Sequence, residues 1–210
     1  MSTFTDDEIM LNCPHCDTKS FALKFPLQET HNFWVICDVH PLTKGHILIM
    51  PKKHFSCFGE YPQFLLDEFH TLYKKCSNFL LDSYGSVSSF EHGKIGQTVF
   101  HSHIQMFPYS GIETQIVQEG PSVLTKIKDI NELRNVFEEK GMYLFFSIGR
   151  NMWIVDIHIG TPRFFRDRFA QALFHPERGN WKEMRNNKEL MKEAQDDITD
   201  LMSRWKKAFK

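Results

Sequence analysis

The sequence has no excess of charge of either sign. Its 25 Lys and Arg stand against 26 Asp and Glu, a formal net charge of -1 over 210 residues. No overall field therefore draws the chain to nucleic acid or a membrane surface, and any phosphate it binds must be held locally. No apolar run approaches the ~18 residues that span a bilayer, and the opening Met1 to Glu8 lacks the basic-then-apolar pattern of an export signal. A cytoplasmic protein with no membrane or nucleic-acid polymer as partner is expected. Cysteines are few, an odd and unevenly spaced set of five: Cys13, Cys16, Cys37, Cys57 and Cys76. That argues against a disulfide framework and for reduced thiols or metal ligands. Internal repeats, low-complexity stretches and a clear linker are also lacking, so the length suits one domain with a terminal extension.

Aromatic residues are plentiful, with 20 Phe that supply core. Phe33 to Cys37 and His46 to Met50 read as strands joined by a turn over Asp38-Val-His-Pro-Leu-Thr-Lys-Gly45, an antiparallel hairpin. From Pro62, apolar residues at 65, 69, 72, 73, 76, 79 and 80 recur at three and four, which predicts a helix ending near Gly85. Gln97 to Phe107 alternates as a strand would, placing His101, His103 and Gln105 on one face. Residues 108–127 read as a loop with a short strand. Asp129 to Glu132 fits a capping-box-like start, and Gly141 a stop, for a short helix. Met142 to Ile148 and Trp153 to Ile157 flank Gly149-Arg-Asn151 as a second hairpin, and Pro162 to Phe174 and Lys188 to Lys207 are helical and amphipathic.

His-x-His-x-Gln on one strand face brings two imidazoles and an amide together at ~6.5 Å per step. A neutral imidazole nitrogen can attack phosphorus and later depart, which allows a two-step transfer. Gln105 and Thr98 can donate to phosphate oxygens, and Gly93 and Gly96 allow backbone N–H groups to approach an anion. Eleven histidines in 210 residues produce some close pairs by chance, so the pair gains its weight from context.

That context is Gly96-Gln-Thr-Val-Phe100 directly before His101-Ser-His103-Ile-Gln105, and Asp38 to His54 upstream. On these two motifs the chain resembles the histidine-triad superfamily, over residues of about 13 to 108. The resemblance implies an α+β fold with an antiparallel sheet flanked by helices, binding a nucleotide. It implies His103 as nucleophile with Gln105 beside it as the second catalytic residue, Asp38 on the ribose hydroxyls, and Gln97, Thr98 and Gln105 toward the nucleotide. Gln105 in place of a third His looks like the transferase and phosphorylase branches, so ordinary hydrolysis is less favoured. The implied reaction is nucleotidyl transfer or hydrolysis on a nucleoside phosphate ester or anhydride, such as a dinucleoside polyphosphate or nucleotide conjugate. A homodimer is the assembly it suggests. Glu91 stands near where many members have Asn or Gln facing the phosphates. A carboxylate there favours the alternative of a catalytically weak nucleotide-binding or regulatory protein.

Cys13-Pro-His-Cys16 has the gap that lets both sulfurs reach one tetrahedral zinc, and His54 and His101 would complete a Cys2His2 set. The resemblance supports all four ligands as a structural zinc site. A redox dithiol and an idle pair are the rival readings of the same residues. Cys37, Cys57 and Cys76 read as packing residues. The sequence divides into a nucleotide-binding core, residues 1–125, and a C-terminal hairpin and helical extension, residues 126–210, packing on the same domain. Within the extension Arg150, Arg163, Arg166 and Arg168 could meet a phosphate, or form a solvated helix face. Trp181 and Trp205 read as packing residues.

Overall fold

Alternation of apolar side chains along short strands builds one sheet with two buried faces. A computed structural model of the chain describes residues 13–210. The start that reads as lacking an export signal lies outside the described residues. Eight strands, β1 (Pro26–Glu29), β2 (Phe33–Cys37), β3 (Ile47–Pro51), β4 (Ser88–Glu91), β5 (Ile104–Phe107), β6 (Leu124–Ile127), β7 (Leu144–Ile148) and β8 (Asn151–Val155), form a single antiparallel sheet. Their order is β1-β2-β3-β5-β4-β7-β8-β6. The fold is α+β. No helix among the described residues is long and apolar enough to cross a membrane.

The helices are α1 (Gln63–Tyr84), α2 (Glu113–Ile116), α3 (Glu132–Lys140), α4 (Phe164–Ala172), α5 (Trp181–Met184) and α6 (Lys188–Ala208). The three-four spacing puts Leu65, Phe69, Leu72, Cys76 and Phe79 of α1 on one buried face, and Gly85 ends the helix in the left-handed conformation. Each of the leucines and phenylalanines contributes ~1.5–3 kcal/mol relative to exposure. That face packs on Val35, Ile49, Ile104 and Met106, with Leu133 of α3 and Leu201 and Trp205 of α6 in the same core. The opposite face carries Phe90, Phe107, Phe146 and Trp153, covered by Phe164, Phe165 and Phe169 of α4. Both predicted hairpins and the predicted helices are present with shifts at their ends. The short helix α3 starts at Glu132, whose carboxylate accepts from the Lys128 and Asp129 amides, and ends at Gly141.

The sequence shows no repeat, yet the connectivity has one. The path β3–α1–β4–β5 lays three strands in the order β3-β5-β4, and β6–α3–β7–β8 lays three in the order β6-β8-β7. The two halves meet antiparallel at β4 and β7, where Ser89 faces Ser147 with their hydroxyls 2.7 Å apart. The extension thus continues the sheet of the core.

Candidate functional site

The expected strand over 97–107 forms only from Ile104 onward. Residues 92–103 leave the sheet as a loop, with Gly93, Lys94 and Gly96 at positive φ. The loop is required because Gly93 and Gly96 lie hard against the second half. A Cβ on Gly93 would stand 2.4 Å from the Tyr143 carbonyl oxygen, and one on Gly96 would stand 2.1 Å from that of Thr161. His101 and His103 therefore do not share a strand face with Gln105. His101 turns to the cysteine pair, and His103 and Gln105 border a cavity of about 210 Å³.

His103 Nδ1 lies 2.7 Å from the His101 carbonyl. A carbonyl only accepts, so Nδ1 carries the proton and Nε2 keeps its lone pair toward the cavity. Burial lowers the imidazole's pKa, against the raising effects of the His101 carbonyl and Asp38, and this favours the neutral ring. Gln105 is buried at the floor and accepts from Arg166 Nη1 at 3.3 Å; since guanidinium only donates, the amide nitrogen is left for another acceptor. Thr98 accepts from Trp181 Nε1 at 3.1 Å, which leaves its hydroxyl proton available. Gln97 donates to the Ser56 carbonyl at 2.7 Å, and its buried Oε1 has no partner among the described residues.

Asp38, at the end of β2, is buried and fully engaged. It accepts from the His40 amide at 2.8 Å and from Arg166 at 2.8 Å, with His46 at 3.6 Å. Burial alone would raise its pKa, but Arg166 and then His46 outweigh that and hold it at about 2. A ribose hydroxyl would have to share these acceptors. Arg166 itself spends its donors on Asp38, Gln105 and the carbonyls of His40, Arg178 and Gly179. It is a buried clamp between extension and core, not part of a solvated helix face. Arg163 borders the cavity at a left-handed backbone position, φ 61°, Arg168 pairs with Glu119, and Arg150 is exposed.

Glu91 does not face the cavity. It is buried beneath the loop, accepting from the Phe58 amide at 3.0 Å, from the Ser102 hydroxyl at 2.7 Å and from the Tyr143 hydroxyl. Burial raises its pKa to about 7. The next residue, His92, takes the place in the wall that sequence reading gave to Glu91. Sequence reasoning also missed Trp181, which is half-buried over His40 (ring centroids 5.8 Å) and lines the cavity rather than the core. Its separation of 78 residues from His103 gave no local signal.

Cys13, Cys16, His54 and His101 come together, their ligand atoms all within 4.8 Å of one another. The Cys13 and Cys16 sulfurs lie 3.5 and 3.4 Å from His101 Nδ1, and Cys16 lies 3.4 Å from His54 Nδ1. A tetrahedral zinc spaces sulfur and nitrogen ligands by about 3.6 Å, so the set fits. His101 Nε2 donates to the Pro51 carbonyl at 2.8 Å, which fixes Nδ1 as the free lone pair. Cys37, Cys57 and Cys76 are fully buried, as expected.

Residues 23–111 match the HIT domain family. An uncharacterized HIT-like protein of Methanocaldococcus jannaschii is 32% identical over 97 residues, 44% of this chain and 74% of that protein. The chain belongs to the HIT family. It is also similar to the adenosine 5'-monophosphoramidase of Saccharomyces cerevisiae, 28% identical over 117 residues that cover 55% of this chain and 73% of the enzyme. An adenylylsulfatase of Arabidopsis thaliana is 33% identical over 78 residues, 35% of this chain and 39% of that protein. The HIT match includes Asp38, His54, His101, His103 and Gln105 but stops short of Cys13 and Cys16 on one side and of Arg166 and Trp181 on the other.

Proposed function

We propose that this HIT protein transfers or hydrolyses a nucleotidyl group on a nucleoside phosphate ester or anhydride through a nucleotidyl-His103 intermediate. The observation that carries the reading is the His103 tautomer, Nδ1–H held by the His101 carbonyl with Nε2 free at the cavity. Nε2 gives its lone pair to the α-phosphorus, an N–P bond forms, and the P–O or P–N bond to the leaving group breaks with its electron pair departing on that group. Nδ1 keeps its proton, and the carbonyl steadies the positive charge that the ring acquires. A second acceptor, phosphate, a sugar phosphate or water, then attacks the phosphorus, and the N–P bond breaks with its electron pair returning to Nε2; a water acceptor loses its proton to solvent, and solvent supplies the proton taken up by the departed leaving group.

The amide nitrogen of Gln105 and the hydroxyl of Thr98 serve as donors to the phosphate oxygens, and positioning plus these donors supply most of the acceleration. Phe21 and Leu48 contribute to the apolar part of the cavity for a base, with the His40 ring beside Phe21, and Asp38 offers acceptors that a sugar hydroxyl would share with Arg166 and the His40 amide. The names of two relatives, an adenosine 5'-monophosphoramidase and an adenylylsulfatase, support adenosine 5'-phosphate conjugates as the first class of substrate. A zinc held by Cys13, Cys16, His54 and His101 would brace the loop that carries His103 and supply structure, not chemistry. The feature that favoured a weakly catalytic binding protein, a carboxylate at the phosphates, is absent because Glu91 points into the Tyr143 network.

The test is intact-mass spectrometry after quenching the protein with a panel of adenosine phosphoramidates, adenylyl sulfate, nucleotide sugars and dinucleoside polyphosphates. A nucleotidyl adduct that disappears in His103→Ala is expected. Binding with neither adduct nor turnover on any member of the panel would overturn the reading.

A further inference from the structure

His92 follows β4 directly, 6% exposed, in the cavity wall that also holds His103 and Gln105. Neither motif nor spacing singles it out. Its Nε2 accepts from the Phe165 backbone N–H at 3.2 Å. Phe165 belongs to the first turn of α4, outside the HIT match, so the extension reaches into the core at this point. The ring is gripped by Phe90, edge-on at 5.4 Å and 78°, and by Phe165 at 5.5 Å. An imidazole whose Nε2 accepts a hydrogen bond carries its proton on Nδ1. Among the described residues no acceptor takes that proton, and Nδ1 is not one of the sealed polar atoms. Burial first, then the neighbouring His103 and Arg166, push the His92 pKa down to about 3, so the ring is neutral where the protein works.

We propose that His92 donates through Nδ1–H to a non-bridging oxygen of the phosphoryl group that His103 attacks, a neutral oxyanion donor whose tautomer is set by the Phe165 amide of the extension. The inference rests on the nucleotidyl-His103 reading. A neutral donor suits this place. A charged one beside His103 would oppose the positive charge that ring acquires on attack, whereas a preorganised N–H steadies the oxygens without that cost. The two aromatic rings and the amide supply the preorganisation, since the imidazole cannot turn without losing the Phe165 bond.

The first experiment is a long-range ¹H–¹⁵N imidazole spectrum of the labelled protein, with His92 assigned by difference against His92→Gln and the wild type titrated with AMP. The expected result is the Nδ1–H tautomer in the free protein and a displaced Nδ1 signal at saturation. The opposite tautomer, or an Nδ1 signal unmoved at saturating AMP, overturns the proposal. Kinetics give the second arm, because Asn places its amide where Nδ1 stood and Gln places it where Nε2 stood. The rate of adduct formation should fall less than about tenfold in His92→Asn and about 10²–10³-fold in His92→Gln, with AMP affinity within a few-fold in both. Retention of rate in His92→Gln, or equal losses in the two variants, rejects the donor role. A wild type that labels His103 while His92→Gln keeps its rate removes this inference alone. A wild type that neither binds AMP nor labels removes the site reading and the inference with it.

Discussion

Arg166 donates to Asp38 at 2.8 Å across 128 positions of sequence, and both side chains are buried. The pair joins the first turns of α4 to the end of β2. Breaking such a pair from one side leaves an uncompensated buried charge, so Arg166→Ala is expected to cost about 3–5 kcal/mol in urea unfolding. Lys should rescue little, because it cannot reproduce the fork that also reaches Gln105 and the His40 carbonyl. The pH dependence follows from Asp38, whose folded pKa of about 2 lies below its ordinary 3.8. A depressed carboxyl pKa gives stability that is complete above the unfolded value and is lost as pH falls through the folded one. The pair's stabilisation should therefore fade between about pH 4 and pH 2, and an Arg166→Ala loss below about 1 kcal/mol at pH 7 would show the clamp to be idle.

Glu91 predicts the opposite slope. Burial raises its pKa to about 7 from an ordinary 4.5, with Tyr143, Tyr61, Cys57, Glu60 and Ser102 around it. A raised folded pKa gives stability that is full below the unfolded value and is lost as pH climbs through the folded one. Stability should decline from about pH 4.5 to pH 7 for this reason. Glu91→Gln keeps an acceptor for the Phe58 amide and the Tyr143 hydroxyl and gives Ser102 a donor. It should flatten the decline and raise the midpoint of thermal unfolding at pH 8 relative to wild type. An unchanged slope would mean that Glu91 stays ionised in the folded chain.

The residues of the candidate site were legible because their types and spacings are local: His101, His103 and Gln105 in one run, and two cysteines with a two-residue gap. The helix α1 and both hairpins were legible from periodicity. The strand over 97–107 was misread because alternation alone cannot register two glycines pinned against Tyr143 and Thr161, which are brought in from the second half. The same long range hid the rest. Arg166 read as one of a basic cluster and Trp181 as packing, and their partners Asp38 and Thr98 lie in another part of the sequence. Glu91 and His92 alternate by a single position, so which of them meets the cavity depends on the register of β4 against β5 and β7.

The Cys2His2 cluster predicts one zinc per chain by elemental analysis of protein purified without chelator. Cys16→Ala should lose it, since Cys16 meets both histidines. Because metal affinity is linked to folding, a strong chelator should lower the unfolding midpoint of the wild type and leave Cys16→Ala unmoved. Turnover should fall with the metal through displacement of the loop, without zinc touching phosphate. A chain that is fully stable and metal-free would leave Cys13 and Cys16 as an idle or redox pair.

Trp181 closes the cavity from the extension, its indole nitrogen on Thr98 at 3.1 Å and its ring over His40. Removing a stacking face costs ~1–3 kcal/mol where a base or similar ring uses it. Trp181→Ala should accordingly weaken nucleotide-conjugate binding about tenfold or more. Trp181→Phe, which keeps a ring and loses the N–H, should fall between. The Thr98 bond is separable: in a cycle with Thr98→Val, any coupling to Trp181 reports that contact alone. Coupling with unchanged affinity in Trp181→Ala would mean that the tryptophan only props the loop. Lost affinity without coupling would mean that its ring meets the ligand directly, and that residues far outside the HIT match select what this protein acts on.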